Sequence, residues 1–454
     1  MIGALLLLFG PQDAGQVTTG NDRHSAVRLQ VTGAMDLHYL ERHGAVNEAG
    51  GALSALAPTD HSTNAWAGRF SLRLDAQVKD QVTGVLELEN RSFDAGMNEP
   101  FAANPENDPI RVKQGYVDVP SLLLDRLDLR VGIQDVSFRC RPHDEPFFMD
   151  LGEVEGFFEG FSATGNHVRN TVDRDVREAA GIRVRWSPYE VLTVQGLALV
   201  YGENGQTSDD ESVYVLAASA RLAEGGAAWI LAALVTGPDV GPNLGEIGTL
   251  GAGLDWYFGS ERELEVFAEG YLQGGTLVDE PSRVRKRAFA FNLGTRFIGF
   301  LDGKLQLEAA TSHRSGDRRP GDGTDQSFQS YENENRFLVV QSAEFGLDVD
   351  TNVSLLRASV GAGPFEVAGR PLRLRVDVGR FEADEDLRNA AGAALTPDHD
   401  WGVETDLQVS WNYNESLHFR LQGGWLAGSG ILEDFTAERW TDTFAAVAGL
   451  DFRF

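Results

Sequence analysis

From Thr443 to Phe454 the sequence alternates between two kinds of side chain. Phe444, Ala446, Ala448, Leu450, Phe452 and Phe454 fall on one face, and Thr443, Ala445, Val447, Gly449, Asp451 and Arg453 on the other. Successive side chains of a strand point to opposite sides. A segment with one apolar and one mixed face therefore suits a wall between lipid and a wet lumen. The last strand of a soluble sandwich would alternate in the same way, so the rest of the chain has to decide.

The same two-residue period recurs along the chain. Phe70, Leu72, Leu74 and Ala76 oppose Arg69, Arg73, Asp75 and Gln77, and Leu86 and Leu88 oppose Glu87 and Glu89. Leu127, Leu129 and Val131 oppose Asp128 and Arg130, and Ile182, Val184 and Trp186 oppose Arg183 and Arg185. Leu264, Val266 and Ala268 oppose Glu263, Glu265 and Glu269, and Leu305, Leu307 and Ala309 oppose Lys304, Gln306 and Glu308. Further on, Leu372, Leu374 and Val376 oppose Arg373, Arg375 and Asp377; Trp401, Val403, Leu407 and Val409 oppose Glu404, Asp406 and Gln408; Leu417, Phe419 and Leu421 oppose His418 and Arg420. A soluble sheet does not readily carry charge along one face over this whole length. Two runs, Leu192–Val200 and Ala227–Val235, are almost uniformly apolar and leave their faces unassigned.

About nineteen segments read as strands, and single-chain bacterial barrels use an even number, so the expectation is one antiparallel barrel of about 18 strands. Arg336–Val340 is the weakest segment and the one to drop. Tight connections such as Lys79–Gln81 and Gly259–Glu261 alternate with long polar ones: His43–Asn64, Ser92–Pro109, Arg139–Arg177, Ser312–Asn335 and Glu382–Asp400. Short periplasmic turns and long extracellular loops are the outer-membrane arrangement. Residues 1–20 read as a signal-like segment with its linker, because Ile2–Phe9 is apolar but too short to span a bilayer. Residues 21–454 read as the barrel, and no run reaches the ~18 apolar residues of a membrane helix.

The net charge of −29 argues against a nucleic-acid partner. Of 39 basic residues only Lys79, Lys113, Lys286 and Lys304 are lysines, leaving 35 arginines. Arginine stays charged and binds carboxylates through a planar fork, which suits a channel lined by ion pairs or passing anions; biased codon usage would give the same skew. The single cysteine, Cys140, can form no internal disulfide.

No hydrolase elbow, phosphate loop or paired-cysteine site appears, so the chain does not read as an enzyme and no cofactor is expected. His143, Asp144 and Glu145 are adjacent but have no histidine at metal-ligand spacing. The Asp- and Gly-rich stretch Ser315–Asp325 departs from the EF-hand spacing, so a mobile extracellular loop is the expectation there rather than a Ca²⁺ site.

The second half is similar to the alginate export porins of Gram-negative outer membranes. The likeness rests on Ser315–Asp317, Phe328, the run Asn335–Val360, the strand Leu372–Phe381, Gly402–Leu407 and the pair Gly424–Trp425. An earlier echo is Lys113–Val119 followed by Gly132-Ile133-Gln134, where the family tends to carry Gly-Arg-Gln. The aromatic Phe454 resembles the C-terminal signal by which periplasmic assembly machinery recognises outer-membrane barrels. The resemblance implies a monomeric barrel in outer-membrane lipid, exporting an anionic polysaccharide or passing another anionic solute through an arginine-lined pore. Candidates for that lining are Arg73, Arg130, Arg183, Arg185, Arg373, Arg375, Arg420 and Arg453. Glu87, Glu404 and Asp406 share the polar face and would offset the arginines if paired with them. Other readings are a phosphate- or sugar-type porin, a structural barrel, and a secreted soluble β-protein.

Overall fold

Alternation over segments of this length makes each strand two-faced, and such strands can bury every backbone polar group only by pairing into a closed wall. The computed structural model of the chain describes residues 17–18, 27–43, 62–79, 81–92, 110–122, 124–134, 180–201, 211–222, 225–236, 244–259, 263–279, 282–319, 321–329, 336–341, 349, 351–387, 398–435 and 442–454. Among them, 18 antiparallel strands form one closed barrel. The first are β1 (Val27–His43), β2 (Ser62–Val78), β3 (Val82–Ser92), β4 (Arg111–Val119), β5 (Leu127–Ile133) and β6 (Ala180–Tyr189). Then come β7 (Leu192–Tyr201), β8 (Glu211–Leu222), β9 (Gly226–Thr236), β10 (Leu244–Phe258), β11 (Leu264–Asp279) and β12 (Ser282–Gly299). The last are β13 (Leu305–Arg314), β14 (Val353–Val367), β15 (Arg370–Ala383), β16 (Asp400–Asn412), β17 (Leu417–Ala427) and β18 (Asp442–Arg453). Arg336–Gln341 is not a strand. The signal-like residues Ile2–Phe9, Cys140 and the group His143–Glu145 lie outside the described residues.

Hairpins at one rim are short, with Lys79 and Ala368 taking up the left-handed backbone of tight turns. The outer face is apolar: Leu216, Ile230, Leu250, Leu272 and Leu356 are all exposed. Near the short-turn rim this face carries aromatics, among them Trp186, Tyr189, Phe258, Phe300, Phe419 and Phe454, as an interfacial girdle does. One expected outward residue turns inward. Trp401 is fully buried on the lumen side, because a bulge between Phe381 and Glu382 of β15 and the start of β16 shifts the pairing there by a residue.

The inner face explains the two uniformly apolar runs. Leu197, Leu199, Val213, Val215, Leu231, Ala233, Val235 and Ile247 point inward in the long-loop half of β7–β10 and form one buried cluster. Their outward neighbours, such as Leu216 and Ile230, face the other side. Both faces of this wall are dry, so no alternation survives in the sequence.

β18 closes the barrel on β1, from Arg453 opposite Ala34 to Phe444 opposite His43. Phe454 extends the seam with two backbone bonds to Gly33, donating to its carbonyl at 3.0 Å and accepting from its N–H at 2.8 Å. The Phe454 ring lies where a Cβ on Gly33 would sit, 2.2 Å from the ring's Cζ. An aromatic covering a strand glycine restores the packing that glycine lacks. Gly33→Val is therefore expected to expel the ring and to lower the yield of heat-modifiable, folded barrel on gels, as is Phe454→Asp. Wild-type yield in both variants would refute a sealing role for this contact.

Candidate pore constriction

The connection between β13 and β14 does not behave as the mobile extracellular loop expected from its Asp- and Gly-rich composition. Its described parts, residues 315–319, 321–329, 336–341 and 349, run inside the barrel as a strap. Thr324–Asp325 pairs in parallel with Arg285–Lys286 of β12. Asp325 accepts from Lys286 Nζ at 2.8 Å, with both groups buried. Gln329 and Gln273 of β11 exchange two hydrogen bonds: the Gln273 amide donates to the Gln329 carbonyl at 2.7 Å, and the Gln329 N–H donates back at 2.8 Å. Phe328 is fully buried in the apolar cluster of β7–β12, 6.4 Å from the Tyr271 ring. Composition marks this stretch as polar, but its few apolar residues and its charge partners decide its place.

Farther along, Phe337, Leu338, Val339 and Val340 pack among Phe381, Trp401, Leu426 and Val447 on the long-loop half of β14–β18. Three consecutive strap N–H groups point at two carboxylates of β16. Leu338 donates to Asp406 at 2.9 Å, Val339 to Glu404 Oε1 at 2.6 Å and Val340 to Glu404 Oε2 at 2.8 Å. Gly424 of β17 makes the approach possible: a Cβ there would stand 2.7 Å from Asp406 Oδ1 and 3.1 Å from Leu338 Cβ. Glu404 and Asp406 thus point inward, as alternation requires, but they hold the strap instead of facing the pore. They are 0% and 1% exposed.

Asp406 and Gly424 belong to one register row of the sheet. Glu265, Arg296, Glu308, Ser359, Asp377, Asp406 and Gly424 stand opposite one another on β11 to β17. Arg296 reaches Glu265 and Glu308, each at 3.1 Å. Arg357 reaches Glu308 at 3.2 Å. Arg336, carried by the strap, bridges Glu308 at 2.9 Å and Asp377 at 3.0 Å and donates to Ser359 at 2.7 Å. Arg375 pairs with the other Asp377 oxygen at 2.8 Å. At ~4 Å an ion pair gains about 4 kcal/mol at an effective dielectric of ~20. Desolvation costs several kcal/mol per ion, so the completed network is near balance.

Removing one member is not balanced. Arg336→Ala is expected to cost about 3 kcal/mol, at the low end for a broken buried pair because Glu308 keeps Arg296 and Arg357. Urea unfolding of the barrel in detergent measures it, and a loss under ~1 kcal/mol would show that the strap's charge is not an anchor.

The short-turn half of the lumen holds most of the other predicted residues. Arg73 pairs with Asp75 at 2.9 Å and approaches Glu87 at 3.6 Å. Glu87 also faces Lys113 at 3.6 Å. Arg130 grips Asp118 through two contacts of 2.7 and 2.8 Å and stacks on the Tyr116 ring at 3.8 Å. Arg420 lies 3.9 Å from Asp451. Arg183 donates to Gln195 at 2.9 Å, and neither it nor Arg185, Arg373 or Arg453 pairs with a carboxylate among the described residues. The lumen brings the predicted arginines into three settings: Arg375 in the mid-height network, Arg73, Arg130 and Arg420 in local pairs, and four uncompensated. Alternation missed Arg296, Arg336 and Arg357 as site residues. Arg296 and Arg357 sit in alternating runs, whereas nothing local marks Arg336 as a lumen residue.

Asp317 lies on the strap, outside the wall. Burial, and then the Asp325 and Asp322 carboxylates, push it up to about 6. The docked strap therefore holds a proton that an exposed Asp releases near ~3.9. Docking is expected to strengthen as pH falls from about 7 to about 5 and to weaken as pH rises through about 6. Hydrogen exchange at Phe328 checks this, and Asp317→Asn should flatten the dependence.

No known sequence family matches the chain, and no curated protein matches it. Solved structures do. OccK9 (OpdG) of Pseudomonas aeruginosa superposes with a TM-score of 0.55 at 14% identity, covering 94% of this chain and 98% of its own. OpdK of the same organism, solved with vanillate, gives 0.53 at 11%, covering 93% and 98%. The outer-membrane protein OprD gives 0.51 at 12%, covering 97% and 95%. At these identities the shared property is the fold, a closed antiparallel β-barrel.

Proposed function

We propose that the chain is an outer-membrane channel that passes small anionic solutes through the arginine-rich, short-turn half of its lumen. The observation that carries this reading is Arg183, Arg185 and Arg373 standing on the inner face with no carboxylate partner among the described residues. Rings of charge are how pores select ions, and the field at a constriction depends on the few charges that line it. The net charge of −29 bears less on it, since acidic groups more than a Debye length away, ~8 Å at physiological salt, are screened.

The apolar outer belt and aromatic girdle support residence in lipid, with the short turns on the periplasmic side. The fold shared with OprD and its relatives supports a porin over the alginate-export reading. So does the strap: pinned to both walls, it narrows the lumen, which suits a small solute better than a polymer. OpdK was solved with vanillate, an anion, and a comparable solute fits the arginines here. A monomer is the simplest assembly consistent with one closed wall.

Reversal potentials across a planar bilayer in a KCl gradient test the reading. Anion selectivity is expected, and it should fall on Arg183→Ala, Arg185→Ala or Arg373→Ala. Cation selectivity in the intact protein would mean that the local acid–base pairs, and not the free arginines, set the field.

A further inference from the structure

Near the short-turn rim, β3 to β6 line an open recess of about 330 Å³. Its charged lining comes from Asp118, Asp128, Arg130, Arg183 and Arg185. Arg130 and Arg183 stand directly opposite each other on neighbouring strands, a placement that is destabilising for like charges. Asp118 compensates Arg130 with a two-point contact. Among the described residues no carboxylate pairs with Arg183, whose hydrogen bond goes to the neutral Gln195. Arg185 lies opposite Asp128, yet Asp128 accepts from the Ser121 N–H at 3.2 Å and forms no ion pair with it. Two guanidiniums spaced i, i+2 on one strand face, with Arg130 locked beside them by Tyr116, leave a concave site with unspent positive charge.

We propose that this recess binds a compact oxyanion carrying two negative charges. One charge neutralises one guanidinium; a dianion engages Arg183 and Arg185 together, each through its planar fork. The volume is that of roughly ten waters at ~30 Å³ each, enough for a tetrahedral oxyanion or a short dicarboxylate with part of its hydration. Asp128, at the edge of the recess, opposes binding and limits it to ligands whose charge outweighs its own. The inference rests on the channel reading only for its biological use, since binding is measurable without transport.

The test is equilibrium binding to the detergent-purified barrel, using sulfate, succinate and acetate as probes. Sulfate or succinate is expected to bind at least tenfold more tightly than acetate, and the stronger of the two tells whether the site takes tetrahedral or dicarboxylate dianions. Arg183→Gln with Arg185→Gln should weaken that binding at least tenfold. Asp128→Asn should tighten it, a change that misfolding cannot imitate. Equal binding of acetate, or unchanged binding in the double variant, overturns the proposal. Dianion binding by a barrel that conducts no ions would support this site and remove the channel reading; anion conductance without dianion binding would do the reverse.

Discussion

A wall in lipid can leave no backbone N–H or C=O unpaired, and the structure follows from that demand. It forces the strands into a ring, fixes which side chains face inward, and so sets which residues must share the lumen. The lumen then has a problem of its own, because the inner surface is apolar near the long-loop rim and charged below it. The strap answers both: Phe328 and Phe337–Val340 cover apolar wall, while Arg336 enters the charged row.

Electrostatics in this barrel are therefore decided locally. Many inward carboxylates are already engaged, Glu404 and Asp406 by strap amides and Glu265, Glu308 and Asp377 by arginines. Among the described residues, guanidiniums without a paired carboxylate stand near the short turns, Arg183 and Arg185 together. A chain can be strongly acidic as a whole and still present a basic path, because pairing removes charges from the field far more effectively than counting suggests.

Much of the wall was legible in the sequence. The two-residue period assigned the faces of β2, β11, β13, β15 and β17, and parity excluded Arg336–Val340 as a strand. It failed where its premises failed. The long-loop halves of β7 and β9 are dry on both faces, so they show no period, and the bulge at Trp401 reverses a face without any local sign. The site was only half legible. Alternation says that Glu308, Asp377 and Asp406 point inward, but not that they share one row, since register is set by connections whose lengths the pattern does not encode. The strap was missed because its residues look like a solvated loop. Only partners distant in sequence, Lys286, Gln273 and Glu404, pull it inside.

The seam at Gly33 and Phe454 joins residues from opposite ends of the sequence. Contacts of the widest sequence separation carry the largest loop-closure penalty and form late. Until they form, β1 and β18 each present an open edge able to pair with another chain. Weakening the ring-on-glycine contact should therefore appear less as a softer finished barrel than as a longer-lived open intermediate, lost to aggregation before it can close.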